Sequence, residues 1–129
     1  MRFLLMVKSK EGQGQPPQAL MEAIGRHGAE ATQNGTMVLS GGLYPAAQGA
    51  RVRVSDGGVS VVDGPYAEAK EVVGGFALFE LKSKEEALSV AKEFMELHRR
   101  HWPGWIGETE VRQLFDGPPD FAASGRNKK

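Results

Sequence analysis

Tyr66, Glu68, Lys70 and Glu71 place a phenol, two carboxylates and an ammonium within six consecutive residues, behind Asp63-Gly64-Pro65 and ahead of Gly74-Gly75. A Gly-Pro turn, a dense polar run and a glycine pair at the end of a strand deliver polar groups to a fixed framework, which is how sites are commonly built. Asp63 and His27 are the residues with acid–base chemistry. A carboxylate in a low-dielectric cleft has its pKa raised, and it can orient an imidazole that titrates near neutrality. Each also has a structural use: Asp63 can cap its own turn through backbone N–H groups, and His27 can be a satisfied histidine on a helix stripe. Glu68, Lys70 and Glu71 could meet a polar ligand, although mixed loop charges are more often a solvated surface. Gly74 and Gly75 read as a bulge or close packing rather than a phosphate cradle, because no helix start follows them.

His98 and His101 lie three apart, a spacing that can hold one metal ion, with Glu108 or Glu110 as further ligands. Histidine and arginine at a helix C-terminus complement its dipole and satisfy its last carbonyls without any metal, and that structural reading leads. Trp102 and Trp105 are expected to cover the core or a dimer edge. No metal and no cofactor is expected.

These residues need a domain to position them, and 129 residues with 40% apolar content are enough for one with a real core. Sixteen basic side chains balance sixteen acidic ones, so nothing suggests the electrostatic footprint of a nucleic-acid binder or of a protein drawn to acidic lipid. The absence of cysteine excludes disulfides, thiolate metal sites and a thiol nucleophile, and suits a reducing cytoplasm. No apolar run approaches the roughly 20 residues that span a bilayer. The N-terminus reads as a first strand and not as a leader.

Phe3 to Val7 is continuously apolar, the pattern of a central strand covered on both faces. Pro16-Pro17 opens a helix running to about Asn34, with Leu20, Ile24, His27 and Ala31 on one stripe and Asn34-Gly35 closing it in left-handed geometry. Met37 to Ser40 is a short strand, and Gly41 to Pro45 an irregular segment after it. Arg51 to Ser55 and Val59 to Asp63 alternate around Asp56-Gly57-Gly58 and form a hairpin. If Val59 and Val61 share its inner face with Val52 and Val54, the period of two puts Asp63 inside as well. Phe76 to Leu81 is another strand apolar on both faces. Ser83 and Glu86 form a capping box for a second helix, striped by Ala87, Ala91, Phe94 and His98, which stops before Pro103. Thr109 to Phe115 is the last strand of a domain spanning residues 1–115. The Gly, Pro, Ser, Asn and Lys composition of residues 116–129 is that of a disordered, dispensable tail.

The order β-α-β-(β-β)-β-α-β supplies two helices to one sheet. Two helices cover one face, and two strands are apolar on both, so a second copy packed across a two-fold axis is expected to cover the other.

With these elements in place, the chain resembles the YCII-related proteins, in the branch named for an Asp-Gly-Pro-Phe motif. Gly42-Leu43-Tyr44-Pro45 is similar to the family's Gly-Leu-x-Pro. Asp63-Gly64-Pro65-Tyr66-Ala67-Glu68-Ala69-Lys70-Glu71 with Gly74-Gly75-Phe76 is similar to its signature, with Tyr66 where phenylalanine is usual, and Glu110-Val111-Arg112 resembles its closing strand. The resemblance implies an α+β, ferredoxin-like antiparallel sheet with two helices on one face that pairs into a dimeric α/β barrel. It also implies a pocket in each subunit, a working histidine–aspartate pair, and a relative that eliminates chloride from a hydroxylated aromatic ring. Asp63 matches the signature aspartate, and His27 matches a helix-one histidine more loosely. Many motif-bearing members accompany extracytoplasmic-function sigma factors.

The expected protein is therefore a cytoplasmic homodimer that binds a small organic molecule. Asp63 and His27 would be its catalytic pair, with Tyr44, Tyr66, Glu68, Lys70 and Phe76 as ligand contacts, and the reaction an elimination or isomerisation. The alternative is a non-catalytic accessory or ligand-sensing module, distinguished by whether Asp63 and His27 converge on an open cavity.

Overall fold

The computed structural model describes residues 1–115. The chain runs β1 (Arg2–Ser9), α1 (Gln18–Gln33), β2 (Met37–Gly42), β3 (Ala50–Ser55), β4 (Gly58–Asp63), β5 (Val72–Glu80), α2 (Lys84–His101) and β6 (Gly107–Gln113), with a 3₁₀ turn at Ala46–Gln48 between β2 and β3. Four strands form one antiparallel sheet in the order β2-β5-β1-β6, and β3 and β4 pair only with each other. Two split β-α-β units interleaved in this order are the ferredoxin-like α+β arrangement. β1 is central, as its apolar run requires.

Phe3 and Leu5 face the helices, beside Phe79, Ala77 and Val111 on the neighbouring strands. They form the core with Leu81, Ala31, Ala87 and Ala91. Small residues on α2 let the helix lie close to the sheet, where Ala87 is fully buried. In α1, Leu20, Ala23 and Ala31 are buried, while Ile24 and His27 are half-buried at the helix boundary. Pro17 stands at the N-cap and Gly35 takes the left-handed φ of 81° that ends the helix. At α2, the Glu86 N–H donates to Ser83 Oγ at 3.1 Å. The returning arm of this cap reaches one residue further than a simple box: Glu86 Oε1 accepts from the Lys82 N–H at 2.7 Å.

Three expectations are corrected. Gly41 and Gly42 belong to β2, paired with Phe76 and Gly75, because the edge strand continues for as long as β5 offers a partner. β5 starts at Val72, so the glycine pair lies inside a strand, with the β1 register shifting after Val7 opposite Gly75. The valine face of the hairpin, which carries Asp63, is exposed: the hairpin turns its arginine side to residues 66–71, and nothing among the described residues covers the valines. The proposed tail, residues 116–129, lies outside the described residues.

His98 is the one buried polar side chain among the described residues. Its ring packs at a tilt between Phe94 and Trp105, at centroid distances of 4.8 and 4.6 Å, and Trp102 stacks on Trp105. Nδ1 donates to the Phe94 carbonyl at 3.0 Å, which fixes the neutral tautomer. Burial holds the imidazole below its ordinary pKa, with the Phe94 carbonyl pulling weakly the other way. A folded pKa below the unfolded value of about 6.5 means that the unfolded chain binds the proton more readily. Stability is then whole above pH about 6.5 and is lost as pH falls below it. Thermal melts across this range, above the carboxylate region, should decline less with falling pH for His98→Phe than for the natural chain.

Candidate functional site

A cleft of about 900 Å³ opens at the end of the sheet where β1 finishes and β5 and β6 begin. Ala46, Ala69, Val72 and Ile106 give it apolar walls, and Lys10, Glu11, Gln13, Tyr66, Lys70 and Glu71 add polar groups. A smaller hollow of about 290 Å³, lined by Leu43, Tyr44, Pro45 and Arg51, shares Tyr66, Ala46, Glu71 and Val72 with it. Tyr66 is the one aromatic side chain among the four residues they share.

The walls are tied by side chains. The β1–β6 ladder ends at the Ser9–Gly107 pair. Gln13 then folds back between two glycines of positive φ, Gly12 and Gly14, and pairs with Ile106 as a strand residue would. Its Nε2 donates to the Ile106 carbonyl at 2.9 Å and its Oε1 accepts from the Ile106 N–H at 3.0 Å. Glu11 accepts from the Ala46 N–H at 2.8 Å and pins the 3₁₀ turn to the same loop. On the far wall, the Arg51 guanidinium lies 3.8 Å from the Tyr66 ring centroid and donates to Glu68 at 2.5 Å. The Glu68 carboxyl is held below its usual range, first by its own backbone N–H and then by Arg51 and Arg53.

Gly64 anchors the hairpin to this wall. Its N–H donates to the Gly49 carbonyl at 2.9 Å. A Cβ at Gly64 would fall on the Ala46 carbonyl, so no other residue fits there without moving backbone.

The structure brings some of the expected site residues together. Tyr66 and Lys70 line the larger cleft, and Tyr44 the smaller, with its ring 82% exposed. Glu68 acts one step back, through Arg51. Phe76 lies on the helix-free face of the sheet, within packing distance of Gly41, and lines neither hollow. Asp63 is exposed at the end of β4. His27 sits at the boundary between the helices, its Nε2 3.7 Å from Glu93 and its ring 6.4 Å from Phe94. Among the described residues, no hydrogen bond or ion pair joins Asp63 to His27. Gln13, Glu11, Lys10 and Ile106 were not singled out in the sequence. The signal for Gln13 was its place between two glycines, which lets a side-chain amide turn back on its own strand.

A domain of this order, with an added hairpin ending in Asp-Gly-Pro, defines the class: a ferredoxin-like α+β protein with its cleft at one end of the sheet. The YCII-related domain matches residues 1–99 of this chain, and the chain belongs to that family. An uncharacterized protein of Rhizobium meliloti (strain 1021) is 38% identical over 72 residues, 56% of this chain and 54% of that protein, so the likeness spans about half the length of the relative. Among solved structures, 5-chloro-2-hydroxyhydroquinone dehydrochlorinase from Burkholderia phenoliruptrix AC1100, in complex with 2,5-dihydroxybenzoquinone, is 19% identical, with a TM-score of 0.49, covering 91% of this chain and 96% of that one.

The close approach of Gly64 to Ala46 makes a direct prediction. Gly64→Ala should lower stability by about 2 kcal/mol or more, because the obstacle is a backbone carbonyl that cannot swing away. Gly57→Ala in the same hairpin, where a Cβ meets nothing within 4 Å, should stay within about 0.5 kcal/mol of the natural chain. Denaturant melts of the two variants check both.

Proposed function

We propose that this YCII-related protein binds a small organic molecule in the cleft beneath Tyr66 and works as a homodimer. The observation that carries the reading is the cleft itself: about 900 Å³, apolar-walled, and lined as well by a phenol, two ammonium groups and two carboxylates. That size and mixture suit a small ligand, whose apolar body the walls desolvate and whose orientation a few polar groups fix. Tyr66 and Lys70 are the contacts this reading assigns first, with Tyr44 reaching the same ligand from the smaller hollow and Glu68 holding Arg51 in place behind Tyr66.

The homodimer rests on the helix-free face of the sheet. Leu4, Met6, Phe76 and Leu78 lie there in register, with Leu39 exposed beside them on β2. The β6 side carries Glu110, which is paired to both Lys8 and Arg112. An apolar centre with a charged fringe is the make-up of a subunit interface, and a two-fold axis covers both copies at once. Sedimentation at micromolar concentration should give a dimer.

Two finer readings divide over Asp63 and His27. As an acid–base pair they would drive elimination or isomerisation of the bound molecule. Their separate surroundings in one chain favour the second reading, a ligand-binding or sensing module that performs no chemistry, of the kind that accompanies a regulatory partner such as a sigma factor.

A thermal-shift screen of small organic compounds against the natural chain tests the cleft. A ligand at 100 times its Kd adds about 2.7 kcal/mol to stability. Tyr66→Ala and Lys70→Ala should each remove most of that shift, measured from each variant's own unliganded melt. A compound whose shift survives both changes binds elsewhere. Asp63→Asn then separates the finer readings, since a binding module keeps its full ligand response and an acid–base enzyme loses turnover with its fold intact.

A further inference from the structure

The hairpin is an arm with two unlike faces. In the β3–β4 register Val52 stands opposite Val61, Val54 opposite Val59, and Ala50 opposite Asp63. Cross-strand partners and residues two apart share a face, so these four valines and Asp63 lie together on one side. The other side bears Arg51 and Arg53, both reaching Glu68, at 2.5 and 3.6 Å. Those ion pairs, the stacking of Arg51 on Tyr66 and the seat of Gly64 against Ala46 fix how the arm stands. All of the side-chain ties are on its arginine side. Among the described residues nothing covers the valine side: Val52, Val54, Val59 and Val61 are 70%, 81%, 69% and 67% exposed.

A two-stranded sheet on its own is at best marginally stable in water, and β-branched residues earn their place in strands by packing. Four valines so exposed present on the order of 400 Å² of apolar surface, the scale of the largest patch on a typical monomer. This falls short of the roughly 800 Å² per partner of a specific interface, and the helix-free sheet face supplies what is missing on the same chain. An occupant that covers both surfaces in one association is a second copy. With sixteen charges of each sign, two copies carry no net repulsion to overcome.

We propose that the valine face of the arm is a contact with a second copy of this chain, and that the contact takes in Asp63, which lies on the same face at the base of the arm. The inference rests on the homodimer proposed above. It accounts for an aspartate at the end of a rigidly held arm whose side chain has no hydrogen bond or ion pair among the described residues. A carboxylate in such a contact is met by a donor of the other copy.

The chain has no cysteine, so Val61→Cys and Asp63→Cys each accept a single nitroxide label. Both labels should be immobilised at concentrations where the protein is dimeric and become mobile on dilution to monomer. Val54→Asp, at a site too exposed to disturb the fold, should raise the dimer Kd at least tenfold in sedimentation, and Leu39→Asp on the sheet face should do the same. Mobile labels, or an unchanged Kd for Val54→Asp, in a dimer that Leu39→Asp weakens would overturn the arm contact and leave the homodimer standing. A natural chain that stays monomeric at tens of micromolar overturns both.

Discussion

A four-stranded sheet has two faces, and this chain makes helices for one of them. Phe3, Leu5, Phe79 and Leu81 are sealed by the alanine faces of α1 and α2, and the burial of these side chains is the main source of stability in the domain. The strands that deliver them cannot avoid delivering Leu4, Met6, Phe76 and Leu78 to the opposite side, because successive residues of a strand point opposite ways. What the helix-free face carries, half-buried, follows from what is buried on the other. The apolar inventory of the helix-free face is therefore not ornament on a finished monomer; it is the other half of the same two strands.

The second constraint is local and sits at Gly64. A backbone-to-backbone approach there, against Ala46, welds the base of the hairpin to the 3₁₀ turn, while Glu11 holds the same turn from the β1–α1 loop. Three segments remote in sequence are thereby locked around one cleft, and most of the locking uses backbone groups that need specific partners: the Ala46 N–H, the Ile106 amide, the Gly49 carbonyl. A site framed in this way is preorganised, so little binding energy goes to ordering it.

Much of this was legible in the sequence. The period of two in β3 and β4, the apolar runs of β1 and β5, and the Ser83–Glu86 signature at α2 are local properties, and each specified its element. The face on which Asp63 lies was legible too, since it shares that of Val59 and Val61. Whether that face turns inward was not, because alternation says which residues sit together and nothing about what lies opposite them. The pairing of Arg51 and Arg53 with Glu68, seventeen and fifteen positions apart in sequence, decided it. Gln13 was hidden for a similar reason. Its role depends on Ile106, just ahead of the neighbouring strand β6, and no periodicity links a loop amide to a strand start 93 residues on. His27 shows the limit of a stripe. Helical spacing put it on the half-buried side of α1, but its charged neighbour, Glu93, belongs to α2.

Arg51 is where the arm and the cleft meet. Its guanidinium covers one face of the Tyr66 ring, its hydrogen bonds run to Glu68, and its backbone is a residue of β3. A ligand that draws Tyr66 further into the larger cleft must either strip the ring from the guanidinium or bring Arg51, and with it the base of the arm, along. In either case the free energy of binding depends on where the arm stands. Linkage is reciprocal: whatever restrains the arm from its valine side restrains Tyr66 by the same amount. Tyr66, which lines both hollows, is thus coupled to the hairpin that bears the exposed valines. That coupling requires no long-range pathway, only one arginine that is stacked on one side, bonded on another, and built into the strand that carries the valines.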